Sequence, residues 1–538
     1  MRSADYVVVG AGSAGCVVAR RLADAGASVI LLEAGGHDRS RLVRTPGLVA
    51  VMHSVPQIKK RFDWGFVSTP QTAALNRSIP QVRGKVLGGS SSINGMVFVR
   101  GNRQNFDDWA AAGCAGWSWA DVLPSYKRFE AWEEGENDYR GGSGPVRVSR
   151  VRNVTPAAEG FIEAFAQTSG TKRLEDYNGA EQEGIGVLQQ SADAGLRSST
   201  SVAYLGDTRP GHLEIVMGAA VSRVVVESGR ATGVEIVTAN GTEVVRASQE
   251  VVLSAGVFGS PQILMLSGIG PAEHLRELGV PVVADLPVGE NLHDHLFVPL
   301  TFTTRGGRNR GTTPYFAQGL IMEALRGGTW VSRSVFDAVG FVRSSIATTV
   351  PDIQIHVLPW AYPSPNQDAP IRHVVHKRPA LTLMSTLIYP KSRGTLRLAS
   401  ADPTAAPLID PGYLREPDDT QVLLDGMELI RETMATGDVA PDAVELHPGA
   451  SFTDRAALAR EVPNRATTVY HPVGTCRMGS DENAVVDPRL RVRGIEGLRV
   501  ADAAIMPSIT GGNTNAPAMM IGEHAAAIMT ADVAASAS

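Results

Sequence analysis

The pattern of apolar and polar positions opens the chain with a tight succession of elements. Tyr6-Val-Val-Val9 is a short β-rich run, broken by Gly10-Ala-Gly-Ser-Ala-Gly15. From Cys16 to Ala25 the apolar residues Val17, Val18, Leu22 and Ala25 recur at helical spacing, with Arg20, Arg21 and Asp24 outside that face. Gly26 stands where such a helix would end, and Val29-Ile-Leu-Leu32 reads as a second buried strand, completing a βαβ unit. Further on, Val-rich runs at 221–226, 234–237 and 251–253 alternate with turns, which predicts a meander returning to a sheet. Leu381 to Pro390 and Gly394 to Leu398 read as strands, and Asp418 to Thr433 as an amphipathic helix. Residues 301–380 show no clean period, and the Gly-, Ser- and charge-rich stretch from Asn137 to Ser149 suggests a boundary.

Composition narrows the class. At 538 residues the chain calls for two or three domains, and a hydrophobic share of 43% with 20% charged residues is that of a globular protein. A formal charge of -5 gives no reason to expect nucleic acid; clusters such as Lys59-Lys60-Arg61 read as solvated surface. Three cysteines (Cys16, Cys114, Cys476) without a CxxC do not form a disulfide framework, which points to a reducing, cytoplasmic setting. No signal peptide and no transmembrane run are expected; peripheral contact with the inner face of a membrane stays open.

Gly10, Gly12 and Gly15 form GxGxxG between a strand and a helix, and Glu33 ends the next strand. Glycines there let backbone N–H groups reach a pyrophosphate at the positive end of the helix, and the acid can hold ribose hydroxyls. A carboxylate argues against a 2′-phosphate, leaving FAD or NAD. Four more clusters follow: Arg83 to Gly95, with Gly88, Gly89 and Asn94; Ser254 to Pro271, in which Pro261 suits a first helical position; Tyr470-His471-Pro-Val-Gly-Thr-Cys-Arg-Met-Gly479; and Ala501-Asp502-Ala503 with Gly511-Gly512-Asn513-Thr514-Asn515. His293 and His295 flank Asp294, and His373 with His376 form an HxxH pair; neither supplies a three-ligand metal set, so no metal is expected. Cys476 reads as a small packed residue.

In this order the clusters resemble the glucose–methanol–choline (GMC) oxidoreductase family from residue 5 to about 530, with its two signature segments at 83–100 and 254–268. The resemblance implies FAD rather than NAD, and an α/β, two-domain fold: a Rossmann-like FAD-binding domain and a substrate domain with a mainly antiparallel sheet and covering helices. The expected division is 1–155, 195–300 and 465–538 for FAD binding, with 156–194 and 301–464 for substrate. By matching motif, Gly10, Gly12, Gly15 and Glu33 would bind the ADP half and Val221 the adenine. Gly88, Gly89 and Asn94 would line flavin and pyrophosphate; Asp502, Ala503 and Asn513 to Thr514 would hold the isoalloxazine and its chain. Some members attach FAD through a histidine where this chain has Ile93, so noncovalent FAD is expected.

His471 matches the family's catalytic base and Asn513 its second active-site position. An imidazole titrating near neutrality suits removal of a hydroxyl proton, and an amide can stabilise the developing alkoxide. The implied activity is oxidation of a primary or secondary alcohol, choline-like, aromatic, sugar or polyol. Segments 98–109 and 116–124 resemble the choline and alcohol dehydrogenase branch, which favours a quinone or another acceptor over O2. The alternatives are an FAD-containing hydroxynitrile lyase and a flavin-binding protein without turnover. Trp360, Tyr362 and Phe336 read first as core and second as an aromatic cage.

Overall fold

A computed structural model of the chain describes residues 2–206, 209–304, 312–362, 379–436, 439 and 443–537. Its first sheet is built on the predicted βαβ unit. Strand Arg2–Val9 lies between Val29–Glu33 and Gly241–Leu253, all parallel, with Leu213–Met217 and Leu498–Val500 extending the parallel set on either side. Strands Ala220–Glu227, Arg230–Thr238 and Gly241–Leu253 form the antiparallel meander that feeds this sheet. Val7, Val8, Leu31 and Val252 are fully buried, as befits strands covered on both faces.

Helix Gly15–Asp24 buries Val17, Val18 and Leu22 and leaves Arg20 and Arg21 partly exposed. Each of those three side chains contributes roughly 1.5–3 kcal/mol of burial. The helix can start so close to the strand because Gly15 lacks a side chain: a Cβ there would sit 1.9 Å from the Gly10 carbonyl oxygen. It stops at Ala25, with Gly26 at φ +95° turning the chain away.

The second sheet runs 444–447, 296–303, 380–387, 353–358, 338–342, 184–187, antiparallel throughout, with Thr467–Thr468 also pairing to Leu296–Thr303. Helices Pro156–Ser169 and Pro417–Ala435 cover it and close a second core around Phe161, Phe165, Leu383, Leu423 and Met427.

Two local readings differ from the structure. The stretch 137–149, whose composition suggests a boundary, is packed into the fold. Arg140 is fully buried, its guanidinium bonded to Glu130, Asp176 and Gln189 and stacked 4.0 Å from the Trp132 ring centroid. Its glycines pack against backbone, Gly141 on the Lys127 carbonyl and Gly144 on Phe129. Second, the helix after Ser254 begins at Gly256, so Pro261 lies inside it rather than at its start. A proline there removes the N–H that would reach the Val257 carbonyl. The Thr475 hydroxyl donates to that carbonyl instead, at 2.7 Å, and the helix tolerates the residue. The HxxH pair His373 and His376 lies outside the described residues.

Candidate active site

The carboxyl ends of the parallel strands open into one cavity of about 1560 Å³ that continues to the second sheet. A pocket for a drug-sized ligand occupies roughly 300–1,000 Å³, so this one has room for a dinucleotide and a small molecule together. Gly10, Gly12, Glu33, Val221, Asp502 and Ala503 line one part; Gly89 and Asn94 line the wall between; His471, Asn513 and Thr514 line the other. Gly15 and Gly88 do not reach the cavity. They act from behind: a Cβ on Gly88 would meet Ser92 Oγ at 2.2 Å, and its N–H donates to the Ala11 carbonyl.

The dinucleotide end fits FAD on its own geometry. A Cβ on Gly12 would find no protein atom nearer than 3.9 Å, so that cradle holds open space, whereas one on Gly89 would strike Gly12 Cα at 2.7 Å. The N-terminus of helix Gly15–Asp24 has no side-chain cap and faces this floor, which suits a pyrophosphate. Glu33 accepts from the N–H groups of Ala11 and Gly35, and burial pushes its carboxyl up to about 7. Asp502 caps the turn beyond it, accepting from Gly256 N–H, Ala504 N–H and the Ser260 hydroxyl. Asn94 Oδ1 accepts from Met96 N–H and Arg197.

At the other end, His471 is aimed by its neighbours in the chain. Tyr470 has φ +67°, a left-handed conformation strained for a bulky side chain, and is held there by its N–H donating to Thr468 Oγ1 at 2.7 Å. The His471 N–H donates to Asp294, which also accepts from the hydroxyls of Thr468 and Tyr413. The imidazole then touches two groups: Nδ1 lies 3.0 Å from His295 Nδ1, and Nε2 lies 3.1 Å from Asn513 Nδ2.

Hydrogen-bond polarity along this row decides the tautomers. His295 Nε2 is 2.9 Å from the Ile388 carbonyl oxygen, which only accepts, so Nε2 carries the proton. Burial drives His295 down to about 3, so the ring is neutral and its Nδ1 is a bare acceptor. His471 must therefore donate from Nδ1, and its own pKa is held well below 6.5 by burial, with His295, His356 and Arg83 adding to the effect. A neutral ring protonated at Nδ1 leaves the Nε2 lone pair free to accept from the Asn513 amide. Gln354 Nε2 donates to Asn513 Oδ1 at 3.0 Å, which fixes the amide the same way round. The row thus presents one basic nitrogen and one N–H donor side by side.

The sequence reading missed three members of this arrangement. In the sequence His295 stands beside His293 as one of a pair without a metal set, and nothing there separates the two. In the structure the His293 ring bonds to Asn291 and Ile509 backbone, whereas His295 faces His471. Gln354 and His356 lie in the stretch without a clean period; the structure places them on strand Ile353–Leu358, with His356 and Leu358 lining the cavity. Cys476 is buried with its thiol pushed well up by desolvation. Among the described residues no cluster of three metal-ligating side chains occurs, and no helix is long and apolar enough to cross a membrane.

Sequence profiles of GMC oxidoreductases match residues 4–297 and 390–522. This chain belongs to the GMC oxidoreductase family. A curated relative, the oxygen-dependent choline dehydrogenase of Rhizobium etli, is 42% identical over 535 residues, covering 97% of this chain and 95% of the relative. Pyridoxine 4-oxidase from Mesorbium loti superposes with a TM-score of 0.86 at 29% identity, covering 97% of this chain and 98% of that one. A variant of Aspergillus oryzae formate oxidase gives a TM-score of 0.88 at 26% identity, with 99% and 98% covered. This GMC oxidoreductase is an FAD-dependent enzyme that oxidises CH–OH donors.

Proposed function

We propose that His471 is the base and Asn513 the alkoxide-stabilising donor for oxidation of an alcohol to an aldehyde or ketone. The observation that carries this is the unprotonated Nε2 of a neutral His471 lying beside the Asn513 N–H on the cavity wall. When bound, FAD accepts the hydride from the carbinol carbon and so supplies the redox half of the reaction. A substrate hydroxyl entering between the two side chains donates its proton to His471 Nε2 and accepts from Asn513 Nδ2–H. As the alkoxide forms, that amide contact strengthens, and Gln354 keeps it oriented. The His471 Nδ1–H bond to His295 steadies the imidazolium as it forms.

Gly10, Gly12, Glu33 and Val221 hold the ADP half of FAD, while Gly89, Asn94, Asp502, Ala503 and Thr514 surround its pyrophosphate and flavin; Gly15 and Gly88 shape the backbone beneath. FAD is held noncovalently, because the wall from Gly89 to Val97 offers Ile93 and no histidine, cysteine or tyrosine to the cavity. Flavin remaining on acid-precipitated protein would contradict this. The FAD-binding domain comprises 1–155, 195–295 and 469–538, and the substrate domain 156–194 and 296–468; the expected limits at 300 and 465 move because Leu296–Thr303 and Thr467–Thr468 belong to the second sheet. Electrons pass on to a quinone or another acceptor rather than first to O2, a reading that rests on the resemblance of segments 98–109 and 116–124 to the dehydrogenase branch, although the curated relatives are named oxygen-dependent; the enzyme works in the cytoplasm. Those relatives are dehydrogenases by name, which speaks against the lyase and non-turnover alternatives.

The test is anaerobic mixing of holoenzyme with primary alcohols while the flavin absorbance is followed. His471→Ala is expected to keep FAD yet slow reduction by about 10²–10⁴-fold. Reduction by the variant at the wild-type rate refutes the assignment.

A further inference from the structure

Among the described residues, the substrate end of the cavity has a largely aromatic and aliphatic wall and no lining carboxylate. Its wall comes chiefly from one buried cluster, with Phe297, Val335, Phe336, Leu358, Trp360 and Met384 all facing the cavity. Phe297 lies two positions beyond His295 along the strand that supports His471, so the two share a face and Phe297 stands next to the reacting groups. Its ring meets Tyr362 edge-on at 5.8 Å, and Phe336 lies 5.4 Å from the His356 ring.

Among the described residues, the carboxylates lining the cavity are Glu33 and Asp502, both at the dinucleotide end. The two acids behind the substrate end are occupied. Asp294 accepts from Thr468, Tyr413 and His471 N–H. Asp63 accepts from the N–H groups of Arg83 and Gly65 and lies 3.7 Å from Lys59. The charged side chains that do line the cavity there are cationic: Lys59, Arg77 and Arg83. His356, beside Asn513, is held down at about 4 by burial and stays neutral.

A cationic substrate entering this site would shed its hydration and meet no carboxylate among the described lining residues, since Asp63 and Asp294 are already engaged by Lys59, Arg83 and neighbouring donors. Aromatic faces recover only part of that loss. An uncharged alcohol pays none of it and gains from burying its apolar body. We infer that this enzyme selects uncharged alcohols with an apolar or aromatic body and discriminates against quaternary ammonium alcohols such as choline, unlike the activity named for its curated relatives. The inference rests on the alcohol-oxidation reading above.

The test compares choline with its carbon isostere, in which a tert-butyl group replaces the trimethylammonium group, together with benzyl alcohol. Each is mixed anaerobically with wild-type holoenzyme, and the second-order rate of flavin reduction is read. The isostere and benzyl alcohol are expected to exceed choline by about a hundredfold or more. Choline reacting as fast as its isostere, or faster, overturns the inference while leaving alcohol oxidation intact. Reduction by none of the three also overturns the inference, because an uncharged alcohol with an apolar or aromatic body would then not be accepted. Phe297→Glu, checked for bound FAD, supplies a second reading: the ratio of choline to isostere should rise at least about tenfold. An unchanged ratio in a flavin-loaded variant contradicts the assignment of selectivity to this wall.

Discussion

Two buried polar clusters in this protein treat charge in opposite ways. Around Glu130 the side chains are fully buried and charged, and each charge faces its opposite: Arg100 and Arg140 both bond to Glu130, and Arg140 continues to Asp176 at 2.8 Å. Around His471 there are also several titratable groups, His295 and His356 among them, yet among the described residues no carboxylate faces their rings and burial keeps them neutral. The difference lies in the partner. Burial with an opposite charge holds ionisation in place and ties distant segments together; burial without one removes ionisation and leaves a lone pair for chemistry. The first cluster serves the fold, and on the reading proposed above the second serves the reaction.

Breaking the first cluster should produce the largest effect. Glu130→Gln leaves two buried guanidinium groups short of their counter-charge and is expected to cost about 3–5 kcal/mol, read as a shift in the urea midpoint of the holoenzyme. A loss under 1 kcal/mol would mean that water or rearrangement relieves those cations. Next comes the support of the base. His295→Leu removes the acceptor for His471 Nδ1–H and is expected to slow flavin reduction by about 10–100-fold with little change in substrate affinity. His295→Gln, which can still accept, should recover most of it; equal rates for the two variants would reduce His295 to packing.

A third effect, seen only as acid is added, is a linkage difference. His356 has an ordinary pKa of 6.5, lowered to about 4 in the fold. The unfolded chain therefore takes up a proton at this position before the native state does. Its stabilising contribution is complete above pH 6.5 and declines as pH falls toward 4, by up to about 1.4 kcal/mol per pH unit. Comparing wild type with His356→Gln isolates this residue from Glu33, whose raised pKa acts in the opposite sense between 4.5 and about 7. The wild type should lose more stability than the variant between pH 6.5 and 4.5. Parallel losses would show that His356 is charged in the native state.

What could be read from the sequence follows from how local each signal is. GxGxxG, Glu33 and the helix between them are set by neighbours within a few tens of residues, and His471 and Asn513 sit in compact motifs. The row Ile388–His295–His471–Asn513–Gln354 is assembled from five separate segments, and no periodicity in one segment announces the others. His295 and His293 look alike in sequence and part company only when one faces His471 and the other faces backbone. Pro261 was misplaced for a related reason: the group that rescues its missing bond, Thr475, lies far away in the chain. The absence of a carboxylate opposite Phe297 is likewise a property of the assembled wall.

The central claim is that the base is a neutral imidazole, kept so by burial in a wall without facing carboxylates. The most direct measurement is the rate of anaerobic flavin reduction at saturating alcohol from pH 5 to 9. A rate that stays level through pH 6.5 and falls only well below it is the result predicted. An acid limb centred at or above pH 6.5 would contradict it, because His471 would then carry a proton where this arrangement leaves its Nε2 lone pair bare.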